Sequence, residues 1–174
     1  MKDDVFMIRA LGFQEQTTFS IPVQGVTIPN GKNEFVVTGD ISNYSREAIS
    51  LAITMHRRSG VNWGDKDYHL HFLYTKYPKT GPSCGLVIYI MLAWLAGALA
   101  YEEGYTATAT IDLQGYVYPV SNINEKIDCW LDSPSSYLII AAEQIHNDFS
   151  KELKEKKKTI FRISHVDELI TVFQ

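Results

Sequence analysis

KTGPSCGLVIYIMLAWLAGALA, residues 79–100, is the most apolar run of the chain, and it opens on a serine. Gly81 and Gly85 flank Pro82-Ser83-Cys84. Glycine on both sides permits a tight turn and a close approach by another backbone. From Ser83 to about Tyr101 the run reads as one buried helix. The stretch from Leu86 to Ala100 is 15 residues, against roughly 20 needed to span a bilayer. Ser83 then stands at a helix N-terminus, among unpaired N–H groups and the positive end of the dipole. That place suits a capping serine. It equally suits a nucleophile whose oxyanion is held by the same N–H groups. Taken alone, the motif leaves both readings open.

The rest of the composition narrows the class. The chain has 174 residues, the size of one ordinary domain, and is 45% hydrophobic and 21% charged. One domain over residues 1–174 is the expectation. The net charge is −4 and no basic stripe is present, which argues against nucleic-acid binding. The charge run SKELKEKKK at 150–158 mixes signs and reads as a solvated helix end. Cys84 and Cys129 are the only cysteines, which make neither a disulfide framework nor a zinc motif. MKDDVFMIRA at the start has no apolar signal core, so a cytoplasmic chain without a membrane span is expected.

Working outward, Val5–Phe13, Thr18–Ile28 and Glu34–Thr38 read as strands, with a turn at PNGKN, 29–33. Ser42–Arg58 reads as a helix, with Ala48, Ile49, Ala52, Ile53 and His56 at helical spacing and Gly60 beyond it. DYHLHFLY at 67–74 alternates as a strand, and 76–82 is a loop into the long helix. Residues 106–113 read as a strand with Thr106, Thr108 and Thr110 on one face. A helix follows at SNINEKIDCWL, with Asn122 as N-cap and Glu125 completing a capping box. Strand 137–142, helix 143–154, strand 159–163 and a final helix complete an α+β (mixed α/β) pattern.

A serine nucleophile needs a base. Five histidines are present, but none sits in a triad signature. His69 and His71 on one strand face, without a third ligand, make a weak metal signal, so no metal or other cofactor is expected. Lys126 lies among apolar neighbours, Ile123, Ile127 and Trp130, on the helix of SNINEKIDCWL. If that face packs on the core, burial lowers the amine's pKa and makes it a usable general base.

Together the two residues fall into a longer pattern. The chain resembles the proteolytic domain of Lon proteases. GPSCG with Ser83 matches that family's G-P-S-A-G, and SNINEK with Lys126 matches its G-G-x-K-E-K, 43 residues on. Between them, TATATIDLQGYVYPV resembles T-G-E-I-T-L-R-G-x-V-x-P-I. TGDISNYSREA, from Thr38, is similar to T-G-x-L-G-x-x-M-x-E-S, DYHLHF to the H-V-H-V strand, and IFRISHVDELITVF to the closing strand and helix. Residues 34–174 are covered clearly and 1–33 loosely. Three departures bear on the loop geometry. Thr80 replaces an acid, Cys84 an alanine, and Ser121 and Asn122 the paired glycines.

The resemblance implies mixed sheets with packed helices and a serine endopeptidase using a Ser83–Lys126 dyad. It further implies a Thr108 hydroxyl on the lysine amine and an oxyanion hole around Ser83 and Cys84. Gly81 and Pro82 shape the loop, and His71 supports it. The implied partners are protein or peptide substrates and a homo-oligomer, a hexameric ring. These residues hold no G-x-x-x-x-G-K-S/T phosphate loop. The expectation is therefore an ATP-independent peptidase, or one served by a separate AAA+ unfoldase. Three other readings stand beside it. One is a non-catalytic Lon-like scaffold. Another is an α/β binding domain with Ser83 as a mere cap. The third makes Cys84 the nucleophile.

Overall fold

A computed structural model describes residues 4–39, 42–73 and 82–174. Strands β1 (Phe6–Gln14) and β2 (Thr17–Pro29) form a long antiparallel hairpin. Its two turn residues, Glu15 and Gln16, take φ of +48° and +67°. That is the left-handed pair of a tight hairpin turn, here made without glycine. β3 (Phe35–Thr38) lies parallel to β4 (Lys66–Phe72), and β4 runs antiparallel to β2. β5 (Tyr105–Thr108), β8 (Tyr137–Ala141) and β9 (Thr159–Ile163) add in parallel on the other side of β1. The seven-stranded order is β3-β4-β2-β1-β5-β8-β9, with β6 (Thr110–Ile111) and β7 (Val117–Tyr118) as a separate ribbon. The expected mixed α/β class is thus the observed one.

Helices cover both faces. α1 (Asn43–Arg58) and α2 (Gly85–Leu95) pack on one, and α3 (Ile123–Leu131) with α4 (Ser150–Lys156) on the other. Ten of the eleven α2 residues are buried. A helix apolar all round is stable only when enclosed, and the sheet and α1 enclose this one. The central strands are buried on both faces for the same reason. Along β8, Leu138 and Ile140 join the α3 cluster, while Ile139 and Ala141 join the α2 cluster. A short final helix, α5 (Leu169–Val172), follows a 3₁₀ turn at Val166–Glu168. His165 caps that turn in a capping box with Glu168.

Four element boundaries differ from the sequence reading. α2 stops at Leu95 instead of running to Tyr101. Gly97 adopts φ +75°, its N–H bonds the Trp94 carbonyl at 3.0 Å, and the Ala98 N–H bonds the Ala93 carbonyl at 2.9 Å. Those two bonds are a Schellman stop, for which Gly97 was the signal. The strand expected over 106–113 breaks at Ala109, so Thr106 and Thr108 share a face of β5 while Thr110 leaves for the ribbon. The capping box expected at α3 is absent. Asn122 is left-handed, φ +56°, and its side chain makes no capping bond. The helix expected at 143–154 spans only 150–156. Gln144 is drawn away instead, its amide clamping the Val120 N–H at 2.8 Å and carbonyl at 3.2 Å.

A buried polar knot joins α3 to β5. Trp130 Nε1 donates to Ser135 Oγ at 2.9 Å, and Ser135 Oγ and Thr106 Oγ1 lie 2.6 Å apart. Ser135→Ala leaves an indole N–H and a threonine hydroxyl without partners in the core. Urea unfolding is expected to show a loss of about 1–3 kcal/mol, since each buried polar group left unmade costs that order.

Candidate active site

The site is built where α2 begins. Pro82 fixes φ for a single 3₁₀ turn, Pro82–Cys84, which runs straight into α2. Residues 74–81, which hold Thr80, Gly81 and the rest of the expected 76–82 loop before Pro82, lie outside the described residues. Ser83 is half-buried. Its carbonyl accepts the Ala109 N–H at 3.3 Å, and the Ala109 carbonyl accepts the Leu86 N–H at 3.3 Å. The turn carrying Ser83 is therefore strapped to the residue that follows Thr108. The capping role expected of Ser83 falls elsewhere. Cys84 is the N-cap, and no side-chain bond closes the helix. The Ser83 hydroxyl is not spent on capping.

Cys84 is not available as the nucleophile. Burial pushes its thiol up to about 11, so it stays protonated at neutral pH.

Lys126 lies in the first turns of α3, beside buried Ile123, Ile127 and Trp130. It is only 4% exposed, and burial alone lowers its amine from 10.5 to about 8. No acid among the described residues pairs with it. Lys158, by contrast, extends across Trp130 and donates to the Trp130 and Ser133 carbonyls at 2.8 and 2.7 Å.

α3 packs over β1 and β2. Ser135 precedes Tyr137, which pairs with Tyr105 at the start of β5, and Trp130 bonds Ser135. The C-terminal end of α3 is thereby tied to the start of β5, and Lys126 lies one turn back along the helix.

Thr108 faces α3, in register with Ile140, and is fully buried. Its hydroxyl has no hydrogen-bond partner among the described residues. The bond to the lysine amine that the resemblance implies is therefore not made in this state, although Thr106 on the same face is satisfied by Ser135. His71 is committed to a bridge. Thr38 Oγ1 lies 2.7 Å from His71 Nδ1 and 2.9 Å from His69 Nε2, tying β3 to β4. In sheet order β4 is three strands from β5. Among the described residues no cluster of three or more His, Cys, Asp or Glu is arranged to hold a metal, and no helix is long and apolar enough to cross a membrane.

The sequence reading did not single out Ser42 and Ser45, which lie at the N-terminus of α1 against the Pro82–Cys84 turn. The only signal was their place at a helix start.

Comparison with known proteins agrees with the geometry. The model for the Lon protease (S16) C-terminal proteolytic domain matches residues 1–174. A Lon protease of Azorhizobium caulinodans is 25% identical over 97% of this chain and 21% of its own length. One from Elusimicrobium minutum is 22% identical over 88% of this chain and 19% of its own. One from Rhizobium meliloti is 26% identical over 72% and 16%. The chain thus spans about a fifth of the length of the relatives it matches most fully. Matched from its first residue to its last, the chain belongs to the Lon protease (S16) C-terminal proteolytic domain family.

Proposed function

We propose that the chain is a serine endopeptidase in which Ser83 is the nucleophile and Lys126 the general base. The observation that carries this reading is a lysine buried with no acid paired to it among the described residues, its amine lowered to about 8. A buried, unpaired amine costs stability and has no structural use here. It is the state in which an amine accepts a proton near neutral pH.

In the proposed reaction Ser83 Oγ attacks the scissile carbonyl as neutral Lys126 takes its proton. N–H groups at residues 83 and 84, at the positive end of α2, hold the resulting oxyanion. The Lys126 ammonium then protonates the leaving amine. Water, deprotonated by the same lysine, hydrolyses the acyl group from Ser83. Thr108 completes the site by bonding the amine once substrate draws Lys126 inward. The substrates are unfolded proteins or peptides, cleaved in the cytoplasm without ATP or after delivery by a separate AAA+ unfoldase. The working form is a homo-oligomeric ring, of six by the family resemblance.

The unmade Thr108 bond favours one alternative, a non-catalytic scaffold that keeps the fold. The two readings separate on casein incubated without ATP. The wild type is expected to cleave it, while Ser83→Ala and Lys126→Met lose activity by at least about a thousandfold. A folded, ring-forming wild type that leaves casein, short peptides and a peptide boronate untouched is instead the scaffold.

The pH dependence follows from the base. Lys126 works only when neutral, so kcat/KM is expected to rise with pH through a midpoint near 8. A flat profile from pH 6.5 to 9.5 would remove Lys126 from the role.

Stability should rise with pH as well, over a higher window. The folded amine titrates near 8 and the unfolded one near 10.5, so the unfolded chain binds more protons between those values. The penalty of burying Lys126 is fully present below pH 8 and fades by 10.5. Lys126→Met is therefore expected to stabilise the fold by about 1–3 kcal/mol at pH 7. The gain should close as pH climbs through that window in denaturant titrations.

A further inference from the structure

The residue after Ser83 is held from a second helix. Cys84 is 7% exposed, and its sulfur is hydrogen-bonded to Ser45 in the first turn of α1. Ser45 is itself buried at 2% exposure. Its hydroxyl accepts from Ser42 Oγ at 3.2 Å, and Ser42 Oγ accepts the Ser45 N–H at 3.2 Å. α1 packs directly on the Pro82–Cys84 turn, and no acidic residue occupies its first turn. In so dry a place the hydroxyl-to-sulfur bond is directional and costly to break.

Positions 45 and 84 also change together relative to the family stretches quoted above. Aligned from Thr38, T-G-x-L-G-x-x-M-x-E-S puts methionine at 45, where this chain has Ser45. G-P-S-A-G puts alanine at 84, where this chain has Cys84.

We propose that Ser45 is a positioning residue for the peptidase reaction, fixing through the Cys84 sulfur the backbone N–H of residue 84 beside Ser83. The inference rests on the Ser-Lys reading of the site. Ser45 touches no reacting atom; it sets where an oxyanion donor stands.

The test compares wild type, Ser45→Ala, Cys84→Ala and the double variant, with two readouts. The first is cleavage of an unstructured peptide as a function of pH. The second is hydrogen exchange of the Cys84 amide by NMR, which needs no activity. Each single variant is expected to lower kcat roughly 10- to 100-fold, the cost of misplacing a group by about an ångström. KM should hold within about twofold, and the pH midpoint should stay in place, because binding and the base are untouched. The double variant should be no worse than the poorer single. In Ser45→Ala the Cys84 amide should exchange at least about tenfold faster. Ser45→Met with Cys84→Ala, which rebuilds the family pair, should recover kcat where Ser45→Met alone does not.

Additive losses, a moved pH midpoint or unchanged Cys84 exchange would overturn the role. If Ser45→Ala does not fold, Cys84→Ala, which installs the family's own residue, decides by the same kcat criterion. If the wild type itself neither cleaves the peptide nor binds a peptide boronate, the Ser-Lys reading has failed. The exchange result then still stands or falls on its own.

Discussion

The site depends on one exchange of backbone hydrogen bonds. Ala109 gives its N–H to Ser83 and takes the Leu86 N–H, both at 3.3 Å. This pair ends β5, since a residue bonded to the start of a helix cannot also continue the ladder. It also settles where α2 begins. A helix N-terminus has four N–H groups without partners inside the helix. Here Leu86 finds its partner on a strand end, so the turn before it is anchored from outside. The strand that supplies the anchor carries Thr108 immediately before it. Opposite faces of the sheet are thereby joined at one point: α2 arrives from one, and α3 with Lys126 stands on the other.

Two lysines show how selective the structure is about burial. Lys158 lies partly buried across Trp130 and spends its amine on two carbonyls at the C-terminal end of α3. There the negative end of the helix dipole favours a cation. Lys126 is more deeply buried near the other end of the same helix, where the dipole disfavours its charge, and no acid among the described residues answers it. Selection for stability alone would replace Lys126 with a methionine or leucine. Its burial agrees with the proposed use of the neutral amine, and sites of function are where local rules are broken at a cost in stability.

Much of this was legible in the sequence because periodicity and order survive substitution. β1, β2, β3, β8 and β9 announced themselves by β-branched runs, and α1 by its spacing. The Ser83 and Lys126 stretches were legible through their order and separation. What was not legible depended on single backbone conformations or long-range partners. Gly97 inside an apolar run looks like helix until its left-handed φ is known. Ala109 looks like the middle of a threonine strand until Ser83 and Leu86 claim its polar groups. Asn122 is the N-cap, as its residue type suggests, but its left-handed backbone comes without the capping bond that a box requires. Nothing local to TATAT says that Thr106 is satisfied by Ser135 while Thr108 is left alone.

Asn122 also bears on whether the departures from the family pattern damage the site. The resemblance places paired glycines at 121 and 122. Glycine there serves a backbone with positive φ, and Asn122 has that backbone, φ +56° and ψ +37°. Asparagine is among the few residues with a side chain that enter this region at modest cost. The Lys126 N–H still donates to the Asn122 carbonyl at 3.0 Å, so the first turn of α3 is intact and Lys126 keeps its angle on the helix. A left-handed turn that glycine enters freely is thus made here by asparagine, and the helix that carries the proposed base starts from it unbroken.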